Sequence, residues 1–482
     1  MNVRALNAFA SLLGLALALQ VTGTGWVQAG EPSERDALFA DALAHNPKVQ
    51  AARERVRQAL AVRRGLLGFF DPQVSASGGK SDGRTGNDWT TGVGVEVPYR
   101  PGFYLGGELQ ENRLFIRGPD YDHLYQTALK ATLRVPLLKD VGFVQWRLRD
   151  LEAESQCREA VSQLLTVVQD VRHQLDLRYI NALEALSSHS VAKAATERVQ
   201  KLLAEAEELV RLKATPEYQL ANARLEVELA QEDELRALQA CEDSRVRLAE
   251  LTGDLSRRDL KAGAEFLLSW AATADIAEQV PLPQVTANRG DYLLVQSQMA
   301  TVEFRLRRSR DDLRPDLSFQ AEAVWAGEDP DVPLLASGQY LADHNLGGQV
   351  RLVLSQPLGK RAERARLSEH KARMAELAES LRDVEVRVQA DLEIASRNFV
   401  SARGRLDLVS RAVESAQRTL AAEEERFRLG EGRSRNVLDA QKDLTNTIRR
   451  QTGTAAILLR AWSDFQFATG YDGPADVSAP TE

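Results

Sequence analysis

The side chains that could do chemistry in this chain are dispersed rather than gathered. Its six histidines, His45, His123, His173, His189, His344 and His370, show no metal-ligand spacing, so solvated or packing roles outweigh a zinc site. No nucleophile elbow or phosphate loop is present, and "GVGVEV" at residues 92 to 97 reads as a strand with two glycines. Cys157 and Cys241 both fall in helical patterns; on the hairpin reading below they differ in height by roughly 45 Å at 1.5 Å per residue, so they should not pair. What remains is a carboxylate among bases. Asp439 has Arg435 four residues before it and Lys442 three after, which puts all three on one helical face as a surface ion pair worth ~0.3–0.5 kcal/mol. Asn436 lies three residues before Asp439, on the same face. This inventory points away from an enzyme, and no catalytic residue, cofactor or metal is expected.

The elements that carry these residues follow from the rest of the chain. Arg4, the apolar run Phe9 to Leu19 and the small-residue site Val27-Gln28-Ala29 read as a signal peptide cut after Ala29. No later stretch reaches the ~18 apolar residues of a membrane helix, so any membrane contact falls to strands. A net charge of −8 from 61 basic and 69 acidic residues, without a basic block, argues against nucleic acid as a partner. An apolar fraction of 44% over 482 residues is enough for two to four domains.

The chain is written twice. Gly290 and Pro315 repeat the spacing of Pro47 and Pro72 at an offset of 243. The exits Arg134-Val135-Pro136-Leu137 and Ser355-Gln356-Pro357-Leu358 are offset by only 221, so the segment between prolines is longer in the first copy by the difference of the two offsets. Beyond them the offset settles at 217, as in Val171 with Val388 and Thr252-Gly253 with Thr469-Gly470. Each copy begins with a helical pattern of about 24 residues, opened in the first by Asn46 as N-cap and Pro47. A strand section follows, then a helix of about 70 residues or more, a short turn, "KATPE" or "GEGRSRN", and a return helix of about 35. Leu164, Val168, Val171, Leu175, Tyr179, Ala182 and Leu186 step by three and four, a coiled-coil seam. At 1.5 Å per residue the long helix spans ~110 Å and the two shorter ones end to end ~90 Å, which predicts one long helix packed on two short ones in each copy.

The strand sections alternate. Leu317, Phe319, Ala321, Ala323 and Trp325 interleave with mostly polar residues, as do Leu129, Ala131, Leu133 and Val135. A strand between lipid and a watery lumen gives this pattern, and so does a half-buried soluble sheet. Aromatics near strand ends, among them Trp89, Tyr99, Tyr125 and Trp325, fit interfacial girdles. Pro98 and Pro101 interrupt the first section, which is read as two long strands rather than four, because the second copy has room for little more.

The motifs "HNPKVQAA", "DPQVSAS", "RPDLSFQAEA", "SQPLGKRAE", "RFRLGEGRSRNVLDAQ" and "LAELTGD", in this order and duplicated, resemble the TolC-like outer-membrane efflux protein family over nearly all of the mature chain. The resemblance implies a mixed α+β membrane protein: a homotrimer whose subunits each give four strands to one outer-membrane β-barrel and four helical rods to a periplasmic α-barrel. It divides the chain into a first repeat (30–253: helix 47–70, strands 72–137, hairpin 139–252), an equatorial linker (254–287), a second repeat (288–470: helix 290–313, strands 315–357, hairpin 359–469) and a tail (471–482). The implied function is a passive exit duct of an efflux or type I secretion system, working with an inner-membrane pump and a periplasmic adaptor. On this resemblance Asp439 and Asn436 match the acidic aperture positions, Asn222 is the first-copy equivalent of Asp439, and Gly430, Gly432, Val437 and Leu438 match the adaptor-docking tip. Asn436 departs from the family's pattern, which puts a doubled acidic ring in doubt. The rival reading is a soluble periplasmic coiled-coil adaptor, which accounts for the hairpins but not for two alternating strand sections.

Overall fold

The computed structural model describes the chain from residue 34 to 471, except 84–85, 116–122, 212–216, 254–259, 261, 277–280, 330–345 and 430–433. The signal peptide, Gly430, Gly432 and nearly all of the tail therefore lie outside the described residues. Two contact units emerge. One holds residues 34–56, 160–294 and 381–471; the other holds 57–159 and 295–380. Helices α1 (Glu34–His45), α2 (Pro47–Gly65), α3 (Val144–Arg211) and α4 (Glu217–Thr252) belong to the first copy. Short helices α5 (Phe266–Thr273) and α6 (Leu282–Asn288) follow, then α7 (Gly290–Asp312), α8 (Arg361–Arg428) and α9 (Ser434–Thr469). Both long helices, α3 and α8, have 68 residues, and both return helices 36.

In the helical unit, each return helix ends where a short helix begins. Gly253 closes α4 at φ +79°, and a Cβ there would meet the His45 carbonyl oxygen at 2.9 Å, so glycine supplies both the left-handed turn and the close approach. Asn46 then caps α2, accepting from the Lys48 N–H at 2.9 Å while its amide donates to the Leu251 carbonyl at 2.8 Å. The second copy solves the same problem with a different residue. Gln169 of α3 donates to the carbonyls of Asn288 and Gly470 at 2.7 and 2.9 Å and accepts from the Gly290 N–H at 3.1 Å. Along the α3 seam, Leu164, Val171, Leu175, Tyr179 and Ala182 are all buried.

A polar cluster lies under α5. The Asp176 carboxylate is 2% exposed and 3.9 Å from Arg35, whose guanidinium lies 5.9 Å from the Trp270 ring and 5.3 Å from Trp462. Burial pushes the Asp176 carboxyl up to about 6, against the opposing pull of Arg35 and Arg172. Cys157 and Cys241 are free and buried.

The other unit is built on one antiparallel sheet of six strands in the order β1 (Gln73–Gly83), β2 (Gly86–Tyr99), β3 (Phe103–Phe115), β4 (His123–Pro136), β5 (Asp316–Asp329) and β6 (Leu346–Ser355). The first strand section thus holds four strands, and the two-strand expectation is corrected. The two prolines explain how. Pro101 sits in the β2–β3 turn, which the Gly102 N–H closes on the Tyr99 carbonyl at 2.8 Å. Pro98 pairs with Tyr104 of β3 but lies beyond Gln73, the first residue of β1, so its missing N–H costs no ladder bond. Gly102 has φ +105°, and a Cβ there would fall 2.2 Å from the Gly142 Cα, so the turn rests on the backbone that leads into α3.

At this end of the sheet the helices tighten into the strands. Residues Leu66–Phe70 form a 3₁₀ turn, and Phe69, Phe70, Tyr104, Phe143 and Trp146 meet edge-on or stacked with centroids 4.6 to 6.4 Å apart. The Trp146 indole donates to the Leu66 carbonyl at 2.9 Å. In the second copy Lys360 takes the place of aromatics, donating to the carbonyls of Leu313 and Arg314 at 2.6 and 3.0 Å.

Because Asp176 holds its proton more tightly folded than unfolded, its contribution to stability is complete below 3.8 and is lost as pH rises through about 6. Asp176→Asn should therefore stabilise the fold by about 3 kcal/mol above pH 6 and change little below pH 4. Thermal unfolding in detergent across pH 4 to 7 reads this directly; a parallel shift at all pH values would rule out the carboxyl as its source.

Candidate functional site

The sheet has two chemically different faces. Paired residues of antiparallel strands share a face, so the register sorts every side chain. One face carries Val74, Ala76, Val93, Val95, Val97, Leu105, Leu109, Leu129, Leu133, Ala321, Trp325, Val350, Leu352 and Leu354. Many of these apolar side chains stand open: Val74, Val350 and Leu352 are 68 to 70% exposed. Aromatic rows bound the band. Tyr99 stacks on Phe103 at 5.4 Å at the helix end, and at the other Lys80 lies over Trp89 and Arg113 over Tyr125, each at 5.7 Å. From Trp89 to Tyr99 along β2 the rise is roughly 33 Å, or about 23 Å for a strand tilted by 45°, close to the ~25 Å apolar band of a membrane barrel. Glu111 is a departure, an acid on this face within the band.

The opposite face is a lattice of polar pairs between strands. Glu96 meets Arg134 at 3.2 Å, Lys130 donates to Gln110 at 2.9 Å and faces Glu108 at 3.9 Å, and Glu322 accepts from Gln349 at 2.8 Å and Arg351 at 3.3 Å. The Arg134 guanidinium also covers the Tyr104 ring at 4.1 Å. Such a surface belongs against water, and the apolar one does not. Among the described residues the outermost strands, β1 and β6, each pair with one neighbour.

The second part of the site lies in the helical unit, at the start of the return helices. Asp439 is exposed and 3.9 Å from Arg435, a loose pair. Lys442 turns elsewhere, to Glu226 of α4 at 2.7 Å. Asn436 is exposed, its amide 3.5 Å from Glu423, and Asn222 is exposed. Val437 does not face outward: it is 2% exposed and packs with Val413, Leu420, Ala440 and Leu444 in the core of the second hairpin. Of the pair Val437 and Leu438 at the start of the return helix, Val437 is thus the one that packs inward. Leu438 is half-buried and lines a cavity of about 360 Å³ with Arg198, Glu226, Asp233, Lys442 and Arg449.

Two ion pairs that sequence reading missed cross this cavity. Lys442 with Glu226 and Arg449 with Asp233, the latter at 3.3 Å, tie α9 to α4. Each joins residues 216 apart, and the two pairs are seven residues apart along both helices, so α4 and α9 run parallel. The legible signal was an acid on one return helix and a base on the other at nearly the repeat offset. Among the described residues no three His, Cys, Asp or Glu side chains converge as a metal site needs, and no helix is long and apolar enough to cross a membrane.

A two-faced antiparallel sheet entered and left by a duplicated set of helices with long hairpins is the TolC-like fold, here with six strands where the resemblance implies four, and the solved structures agree in fold. CusC matches over 94% of this chain and 96% of its own at TM-score 0.69 and 14% identity. The outer membrane protein VceC of Vibrio cholerae matches over 91% and 96% at 0.63 and 14%, and the open state of the MtrE outer membrane channel of Neisseria gonorrhoeae over 93% and 91% at 0.68 and 15%. These are TolC-family outer-membrane channels, and this chain has their fold. No family model and no curated protein matches the sequence.

The two interhelical ion pairs are part-exposed and worth ~0.2–1 kcal/mol each. Reversing both bases, Lys442→Glu with Arg449→Glu, replaces attraction by repulsion and should speed amide exchange in residues 217–233 and 434–449 about 5- to 30-fold. Unchanged exchange in both segments would show that the pairs do not hold α4 to α9.

Proposed function

We propose that this protein is the outer-membrane channel of a tripartite efflux or type I secretion system. It is a passive duct with its sheet in the outer membrane and its helices in the periplasm. The two-faced sheet with open edges carries this reading. In hydrocarbon an unpaired strand edge leaves backbone N–H and C=O groups unsatisfied at several kcal/mol each, and six strands are fewer than the about eight of the smallest closed membrane barrels. Copies must therefore share one barrel, and the TolC-like fold makes a homotrimer the natural number. Its apolar face would then meet lipid and its lattice of Glu, Lys, Arg and Gln would line the bore.

Energy and cargo come from an inner-membrane pump, passed on by a periplasmic adaptor at the hairpin tips. Leu438, half-buried at the start of α9, is the apolar residue left to meet that adaptor, with Gly430 and Gly432 a few residues before it in the sequence. Exposed Asp439 is the aperture carboxylate. With Asn436 and Asn222 uncharged, the trimer would present one ring of three acids at this level, and cation selectivity should be weak. The Lys442 and Arg449 pairs would hold neighbouring rods together at rest, and the adaptor would part them on opening. No catalytic step is required.

The reading is tested by fractionation and by conductance. The protein should partition with the outer membrane, need detergent, and run as a heat-modifiable trimer; a soluble periplasmic species would instead support the adaptor reading. In planar bilayers Asp439→Ala should raise single-channel conductance, and an unchanged value would remove Asp439 from the aperture.

A further inference from the structure

The chain carries an internal copy of the junction by which it joins its neighbour. The strand section of the first copy ends on β4 and that of the second begins on β5, and these two strands pair from Pro136 opposite Ser318 to Tyr125 opposite Asp329. β4 leaves the sheet through Val-Pro-Leu and β6 through Gln-Pro-Leu, at the repeat offset of 221; β1 begins after Pro72 and β5 after Pro315, at the offset of 243. Hence the free edge of β6 is the second-copy equivalent of β4, and the free edge of β1 is the first-copy equivalent of β5. We propose that β6 pairs antiparallel with β1 of a second copy of this chain in the register of β4 on β5. Ser355 then lies opposite Ser77, Leu354 opposite Gly78, Val353 opposite Gly79 and Leu352 opposite Lys80, continuing to Gln349 opposite Gly83.

Two features of the sheet that were not used to derive this register agree with it. The first is face parity. Leu352 and Leu354 belong to the apolar face, as do Gly78 and Lys80; Ser355 and Val353 belong to the polar face, as do Ser77 and Gly79. A slip of one residue would set every apolar side chain against a polar-face one. The second is closure geometry. The row of paired residues that starts at Gln73 passes through Glu96, Gly106, Thr132 and Glu322 to Gln349. At the junction Gln349 faces Gly83 of the next copy, ten residues further along β1, so each copy of six strands advances the row by ten residues. With a rise of about 3.3 Å and a strand spacing of about 4.8 Å this gives a tilt of roughly 49°, a few degrees above the typical 35–45° of closed barrels.

The junction fixes what the barrel is. Six strands per copy in the trimeric duct proposed above make a barrel of 18 strands, where four per copy would make 12. Its backbone diameter is about 40 Å, half as wide again as 12 strands at the same tilt, in the range of strand number that leaves an open aqueous channel. The added width comes from one extra hairpin, turning at Arg100 to Gly102, which accounts for the greater length of the first strand section over the second. Small residues line the bore nearest the junction: Ser75, Ser77, Gly79, Gly92 and Gly94 all lie on the polar face.

The test uses the full-length protein in its membrane. Ser77→Cys with Ser355→Cys, oxidised in outer-membrane fractions, should convert most of the protein into covalent species of two and three chains and none larger. Neither single variant should do so. The control Gly79→Cys with Ser355→Cys, on the same face but two residues out of register, should cross-link several-fold less. Equal or better cross-linking by the control overturns the register, and so does a ladder that stops at two chains. Without any of these changes, the trimer imaged by electron cryo-microscopy should show 18 strands, and a count of 12 overturns the proposal. Those results leave the duct reading standing; it falls only if the unmodified protein is neither trimeric nor in the outer membrane.

Discussion

A strand edge in hydrocarbon cannot be left open, because no water is there to take its hydrogen bonds. If the sheet lies in the outer membrane, as proposed, that constraint governs the rest of this molecule. The sheet is long in one direction and ends abruptly in the other, with β1 and β6 each open on one side among the described residues. Soluble proteins blunt such edges with charge, proline or bulges. Here β6 carries Leu346, Val350, Leu352 and Leu354 on one face, with Arg351 its only charged residue. On the proposed junction it is covered by β1 of another copy. The even number of strands makes β1 leave the helices and β6 return to them, so the two edges meet antiparallel when copies are joined side by side.

The duplication was legible because it is fixed by punctuation rather than by bulk composition. Asn46-Pro47, Pro72, Pro136, Gly253 and their partners mark places where backbone geometry admits few residues, and the structure shows why at Gly253 and Gly470, both at positive φ against the start of the next helix. The long helices were legible from their seam, whose members Leu175, Tyr179 and Ala182 are buried to within 1%. The strand count was not legible. Two prolines inside the first strand section suggested interruption, and only the pairing reveals that Pro98 stands past the end of β1 and Pro101 in a turn. Symmetry misled as well. A repeat was assumed to have equal strand sections, whereas the first copy has absorbed a whole hairpin that leaves the joints at Pro72 and Pro136 unchanged.

The candidate site was legible in part. Asp439 and Asn436 are exposed on one face, as their spacing requires, but spacing could not tell that Val437 turns into the hairpin core while Leu438 does not. Nor could it tell that Lys442 prefers Glu226 on another helix to Asp439 on its own. Pairs across helices depend on how rods are laid side by side, and nothing local in the sequence encodes that. The repeat offset of 217 against a pairing separation of 216 is the one trace of it.

The energetics at the tips suit a closure that must also yield. Within the second hairpin, α8 and α9 are joined by a dry cluster of Val413, Leu420, Val437, Ala440 and Leu444, each burial worth on the order of 1–3 kcal/mol. Between α9 and α4 there are two part-exposed ion pairs beside a cavity of about 360 Å³, together worth no more than about 2 kcal/mol. Even with the Arg198 to Thr445 hydrogen bond at 3.1 Å from α3 to α9, a pull on the tips meets less resistance between the hairpins than within the second one. Rigid rods with weak seams move as bodies, and in the proposed duct this division of strength would let the end open without melting.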